Sequence, residues 1–198
     1  MQTFLSWIEN TSGRLRPVRM LPGIVLACGV VVLASGCAST YSERRGLEPP
    51  QTVESVDLGR YMGTWYEIAS FPNRFQENCT GTRATYELRD DGKVRVVNRC
   101  FADELEGEEM VVEGSAHAVA DSGNAKLRVT YFWPFYGDYW IVALDPGYQW
   151  VAISEAGRKY AWILARTPAV DEATYAAILD ELQAKQIPVH FLRKTLQP

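Results

Sequence analysis

GRYMGTWYEIASF, residues 59–71, sets a glycine two places before a tryptophan at the start of an extended, aromatic-rich segment. Gly63 lets the backbone come close where a strand begins, and Trp65 supplies a large ring that packs there. Downstream the chain reads as short alternating strands. TRATYEL, residues 82–88, puts Ala84, Tyr86 and Leu88 on one face and Arg83, Thr85 and Glu87 on the other. RDDGK turns the chain with Asp91-Gly92, and a strand follows from Val94 to about Phe101. After the charged run from Asp103 to Glu109 a strand covers about Met110 to Val119, and DSGN turns again. AKLRVTYFW, residues 125–133, alternates Leu127, Val129, Tyr131 and Trp133 against Lys126, Arg128 and Thr130. PFYGD reads as a loop, Tyr139 to Leu144 as a strand, DPG as a turn, and two strands ending near Ser154 and Arg166 complete the set.

Eight strands at near-even spacing imply an all-β, up-and-down antiparallel sheet, whose edges closure into a barrel removes. After Thr167-Pro168 the period changes: Ala173, Tyr175, Ala177, Ile178 and Leu182 form a helical stripe, Asp171 caps it, and it ends near Gln186. One C-terminal helix is therefore expected outside the barrel. Strand parity sorts the connections. The first strand starts at one end, here the closed end, and the turns after the second, fourth and sixth strands return there with the finish of the eighth. Asp145 and Arg166 thus meet Trp65.

Gly63-Thr64-Trp65, then Asp145 with Tyr148, then Arg166, in this order and at barrel spacing, resemble the lipocalin family. Within it the chain looks more closely like the bacterial outer-membrane lipocalins, apolipoprotein D and the plant temperature-induced lipocalins, over about Val56 to Phe191. The resemblance implies that Trp65 plugs the barrel floor with Arg166 stacked on its indole, so that Gly63, Trp65, Asp145, Tyr148 and Arg166 are structural. It also implies a cavity for a small hydrophobic ligand. The candidate lining is Tyr86, Leu88, Leu127, Val129, Tyr131, Trp162 and Leu164 from the strands, with Phe71, Phe75, Trp133, Phe135 and Tyr136 at the mouth. A barrel filled by these aromatics stays open as the alternative. Arg158 and Lys159 at the rim read as solvated charges, with pairing to an anionic head group as the other reading.

Upstream, Arg14, Arg16 and Arg19 precede an apolar run from Leu21 to Leu33. That run is shorter than the about 20 residues a spanning helix needs and has the layout of an export signal, residues 1–36. LASGC resembles the lipobox of bacterial lipoproteins, although Ala34 stands where Leu, Val or Ile is usual and Leu33 is one place further away. The implied fate is lipidation of Cys37 and, with Ala38 rather than Asp next, anchoring in the outer membrane facing the periplasm. Residues 37–55 read as a tether and 56–198 as the barrel domain. Whether translation starts at Met1 or Met20 is left open.

Without residues 1–36 the net charge is about −6, and no basic patch stands out, so nucleic acid is excluded as a partner. Cys79 and Cys100 remain, and in an oxidising compartment they are expected to pair. A hairpin that sets Leu88 opposite Val94 does not set these cysteines directly opposite each other. No nucleophile elbow, zinc motif or Cys-x-x-Cys is present, so neither enzyme nor cofactor is expected. The reading is a carrier for a fatty acid, lysophospholipid or similar amphiphile. Alternatives are a tetrapyrrole or isoprenoid carrier, haem ligation by His117 included, and a lipocalin isomerase or reductase using a free Cys100. The residues leave pairing of two copies into a homodimer open.

Overall fold

The computed structural model describes residues 45–198; the export signal, Cys37 and most of the tether lie outside them. The strands are β1 (Gly63–Ser70), β2 (Cys79–Leu88), β3 (Val94–Ala102), β4 (Glu109–Ala118), β5 (Lys126–Phe132), β6 (Phe135–Leu144), β7 (Trp150–Ser154), β8 (Ala161–Ala165) and β9 (Arg193–Lys194). A one-turn helix, α1 (Leu58–Tyr61), precedes β1, and α2 (Glu172–Ala184) follows β8. Each of the first seven strands pairs antiparallel with the next, and β1 pairs with both β2 and β8, which closes the eight-stranded barrel.

Leu88 pairs with Val94 across the turn containing Gly92, whose φ of 76° suits glycine. Asp171 caps α2 through the Thr174 amide, which holds its carboxyl below the usual carboxylate range. Two cores result. One fills the lower barrel, from Trp65 up through Tyr86, Leu127, Ile141 and Leu164. The other lies between α2 and the outer wall, where Ile178 and Leu182 are buried against Val142, Ala152 and Ile163. Burying two such aliphatic side chains stabilises the docked helix by about 3–6 kcal/mol. Ala173 and Ala177 of the expected stripe stay exposed.

Three features depart from the sequence reading. Most of the segment read as the loop PFYGD, residues 135–138, is the start of β6, with Pro134 left in the turn. Residues 49–55, read as the end of a tether, lie against the barrel: Pro50 is buried, and the Val53 amide donates to the Ile141 carbonyl, just before the Val56 amide donates to that of Gly123. The chain beyond α2 returns to the sheet as β9, pairing with Ala69 and Ser70 where β1 has parted from β2. The Leu196 carbonyl accepts from the Gly81 amide, and Gln197 Nε2 bridges the Glu67 and Thr82 carbonyls at 2.8 and 2.9 Å, so the C-terminal tail fills the seam between β1 and β2. On the opposite side, Glu109–Gly114 of β4 pair with β3 alone, because pairing with β5 begins only at Ser115.

Candidate ligand-binding site

At the closed end the Arg166 guanidinium lies 3.8 Å from the centroid of the Trp65 ring. It donates to the carbonyls of Thr64, Arg60, Tyr61 and Tyr148, the first two at 3.0 and 2.7 Å. Trp65 is fully buried and its indole N–H donates to the Tyr61 carbonyl at 2.8 Å. Asp145 organises the β6–β7 turn by accepting from the Gln149 amide, and Tyr148, at φ 60°, accepts from the Asp57 amide that opens α1. One cation thus ties α1, β1, β8 and the β6–β7 turn into a floor.

Above the floor stands a layer of phenols. The Tyr61 ring lies 5.1 Å from Trp65 and 5.6 Å from Tyr86. The Tyr61 and Tyr139 hydroxyls are 2.7 Å apart, and those of Tyr86 and Tyr139 are 3.0 Å apart. Burial pushes all three phenols above their ordinary range, so they are neutral at physiological pH. A cavity of about 10 Å³ abuts this layer.

The upper barrel differs. Met110 and Val112 face inward by alternation with Ala116, and Tyr131 reaches Asn98, whose Nδ2 donates to its hydroxyl at 2.8 Å. These three are 39, 48 and 44% exposed, so the upper wall is apolar and unfilled. Burial raises the Tyr131 phenol to about 12. Opposite them, Glu67 is 4% exposed. Its carboxylate accepts from Ser70 Oγ at 2.9 Å, Gln76 Nε2 at 2.6 Å and Thr195 Oγ1 at 2.5 Å. Trp162 Nε1 donates to Gln76 Oε1 at 2.9 Å. Glu67 therefore knots the β1–β2 loop and the C-terminal tail to the wall, satisfying a buried charge with three donors.

The structure places the predicted lining in several settings. Tyr86, Leu127, Val129, Trp162 and Leu164 belong to the lumen cluster, and Tyr131 to the open wall. Leu88 does not belong there: it ends β2 at the closed-end hairpin and is half exposed. Phe71 lies on the outer face against Phe191. The extra residue Ile68 forms a β-bulge between Glu67 and Ala69 that reverses the alternation of β1. Tyr136 also faces outward, beside Arg128 and His117, so His117 is not in the lumen. Phe75 and Trp133 are exposed on the mouth connections, and Phe135 is exposed at the start of β6. Arg158, read as a solvated rim charge, is buried and donates to the Lys185 carbonyl at the end of α2.

Cys79 and Cys100 form a disulfide with Cα atoms 5.5 Å apart. Cys79 pairs with Ala102, and a bulge around Gly81, at φ 57°, brings the two sulfurs together despite the offset register. Among the described residues no group of three or more His, Cys, Asp or Glu side chains is placed to hold a metal ion. Tyr61, Tyr139, Glu67 and Gln76 did not emerge from the sequence reading. Tyr139 and Glu67 were findable, since each shares inward parity with a residue that did, Leu127 and Trp65; Tyr61 and Gln76 lie outside any alternating strand.

A family model described as a lipocalin-like domain matches residues 56–197. Temperature-induced lipocalin-1 of Arabidopsis thaliana is 40% identical over 156 residues, covering 74% of this chain and 82% of that protein. Outer membrane lipoprotein Blc of Escherichia coli (strain K12) is 38% identical over 155 residues, covering 78% and 84%. The crystal structure of lobster apocrustacyanin A1 superposes with a TM-score of 0.60 at 15% identity, covering 76% of this chain and 91% of that one, a likeness of fold alone.

Proposed function

This chain belongs to the lipocalin family, and from that premise we propose that it is a non-enzymatic carrier of fatty acids, lysophospholipids or similar single-chain amphiphiles. The observation that carries this reading is the inward, apolar and half-exposed upper wall of Met110, Val112 and Tyr131, surface that an acyl chain would cover. The tail enters the barrel and the head stays toward the mouth. The depth available to the tail is set by the layer of Tyr61, Tyr86 and Tyr139, which stands above Trp65. The disulfide supports a carrier over a thiol enzyme, because it occupies the sulfur of Cys100. We place the protein at the outer membrane, lipidated at Cys37 and facing the periplasm. The motif around Cys37 and the relatives named as outer membrane lipoproteins support this placement.

Native mass spectrometry of the protein purified from a bacterial envelope, before and after solvent extraction, tests the reading. A species of fatty-acid or lysolipid mass that is lost on extraction and regained on mixing is expected. Across a series of saturated acids, affinity should rise by about 0.8 kcal/mol per methylene until the tail meets the phenol layer, then level off. A protein that carries no such species and binds none of the series excludes the carrier.

A further inference from the structure

The bottom of the lumen is polar, and its hydrogen-bond count does not close. Three hydroxyls bring three hydrogens. Among the described residues their only hydrogen-bond partners are one another, through the two contacts at 2.7 and 3.0 Å. Each contact uses one hydrogen, so one phenolic O–H has no acceptor in the cluster whichever way the chain of bonds runs. Burial keeps all three phenols protonated, so none can close the count by ionising. The adjoining cavity is otherwise walled by Leu58, Met62, Val94, Ala116, Leu127 and Val129, whose side chains offer no oxygen or nitrogen acceptor and only the weakly accepting thioether of Met62. At about 10 Å³ it has room for one group of about the size of a water molecule, such as a single oxygen.

We propose that Tyr61, Tyr86 and Tyr139 select ligands that carry an uncharged oxygen, a hydroxyl, ketone or aldehyde, at the end that enters the barrel first. The inference rests on the carrier reading and narrows its ligand class from simple amphiphiles to chains oxygenated at both ends. A methyl terminus would leave the spare O–H buried without an acceptor, whereas an oxygen there accepts it. The oxygen is uncharged because a second anion at this depth would be desolvated and would face the negative charge of Glu67, which already acts on the Tyr86 phenol.

The test compares palmitic acid with ω-hydroxypalmitic acid, each displacing a fluorescent fatty acid from the delipidated full-length protein. The ω-hydroxy acid, although less hydrophobic, is expected to bind about tenfold more tightly. Replacing all three phenols (Tyr61→Phe, Tyr86→Phe, Tyr139→Phe) keeps the rings and should reverse the order in favour of palmitic acid. Equal or weaker binding of the ω-hydroxy acid by the parent protein overturns the proposal and leaves the carrier reading standing. A triple variant that folds and keeps the preference also overturns it. Binding of neither acid overturns the carrier reading, and this proposal with it. The parent comparison decides even if the triple variant does not fold.

Discussion

Arg166 is the residue on which the closed end turns, since its removal would strand carbonyls of four residues and uncover one face of Trp65. Arg166→Ala should lower unfolding stability by about 2–4 kcal/mol in a denaturant titration. Arg166→Lys should recover little of it, because an ammonium cannot reproduce the planar fork. The phenols make a separate prediction with a definite sign. Their folded pKa values lie above the unfolded value of 10.0, so the folded state keeps its protons where the unfolded state loses them. Stability should be insensitive to these groups below pH 10 and fall as pH rises beyond it; tyrosinate absorbance should lag until the protein unfolds. The triple Phe replacement should flatten that slope. Gly63, Trp65 and Arg166 were legible in the sequence because strand parity alone brings them to one end. The phenol layer was not, because it depends on α1, a single turn with no periodicity, carrying Tyr61 beneath the sheet.

Among the elements, α2 and the β2–β3 hairpin were legible because their signals are local: an Asp cap, an apolar stripe, an Asp-Gly turn. The β9 tail was not, since two paired residues carry no alternation and their partners lie over a hundred positions away in the chain. The start of β6 was misread because Pro134 and Gly137 look like loop punctuation, although the proline occupies the turn and the glycine sits in the ladder. Deleting residues 193–198 should open the β1–β2 seam. Hydrogen exchange at the Gly81 amide, which donates to the Leu196 carbonyl, would report it as accelerated exchange confined to β1 and β2, with β5 to β8 unchanged. Replacing both cysteines with serine should cost about 3 kcal/mol, given the separation of 21 residues, read as a lower denaturant midpoint. The effect should be concentrated at the mouth, where Cys79 begins β2.

At the scale of the molecule, the even spacing of turns made the closed barrel and its two ends legible. How far the lumen is filled was not, because filling depends on bulges and ring positions that alternation does not encode: Ile68 turns Phe71 out of the lumen, and the phenols raise its floor. The barrel also closes incompletely beside β4. Among the described residues the half-strand from Glu109 to Glu113 pairs with no strand on its β5 side, and Met110, Val111 and Val112 are exposed on it. Here the acid pair Glu109 and Glu113, held in ion pairs with Arg83, Arg99 and Arg95, adds little to stability. Its value is as a guard: charge on an open strand discourages a second chain from adding to it. Replacing both acids with valine should leave the barrel folded yet turn a clear solution into one that scatters light and binds amyloid dyes, with polymer growth starting from this half-strand.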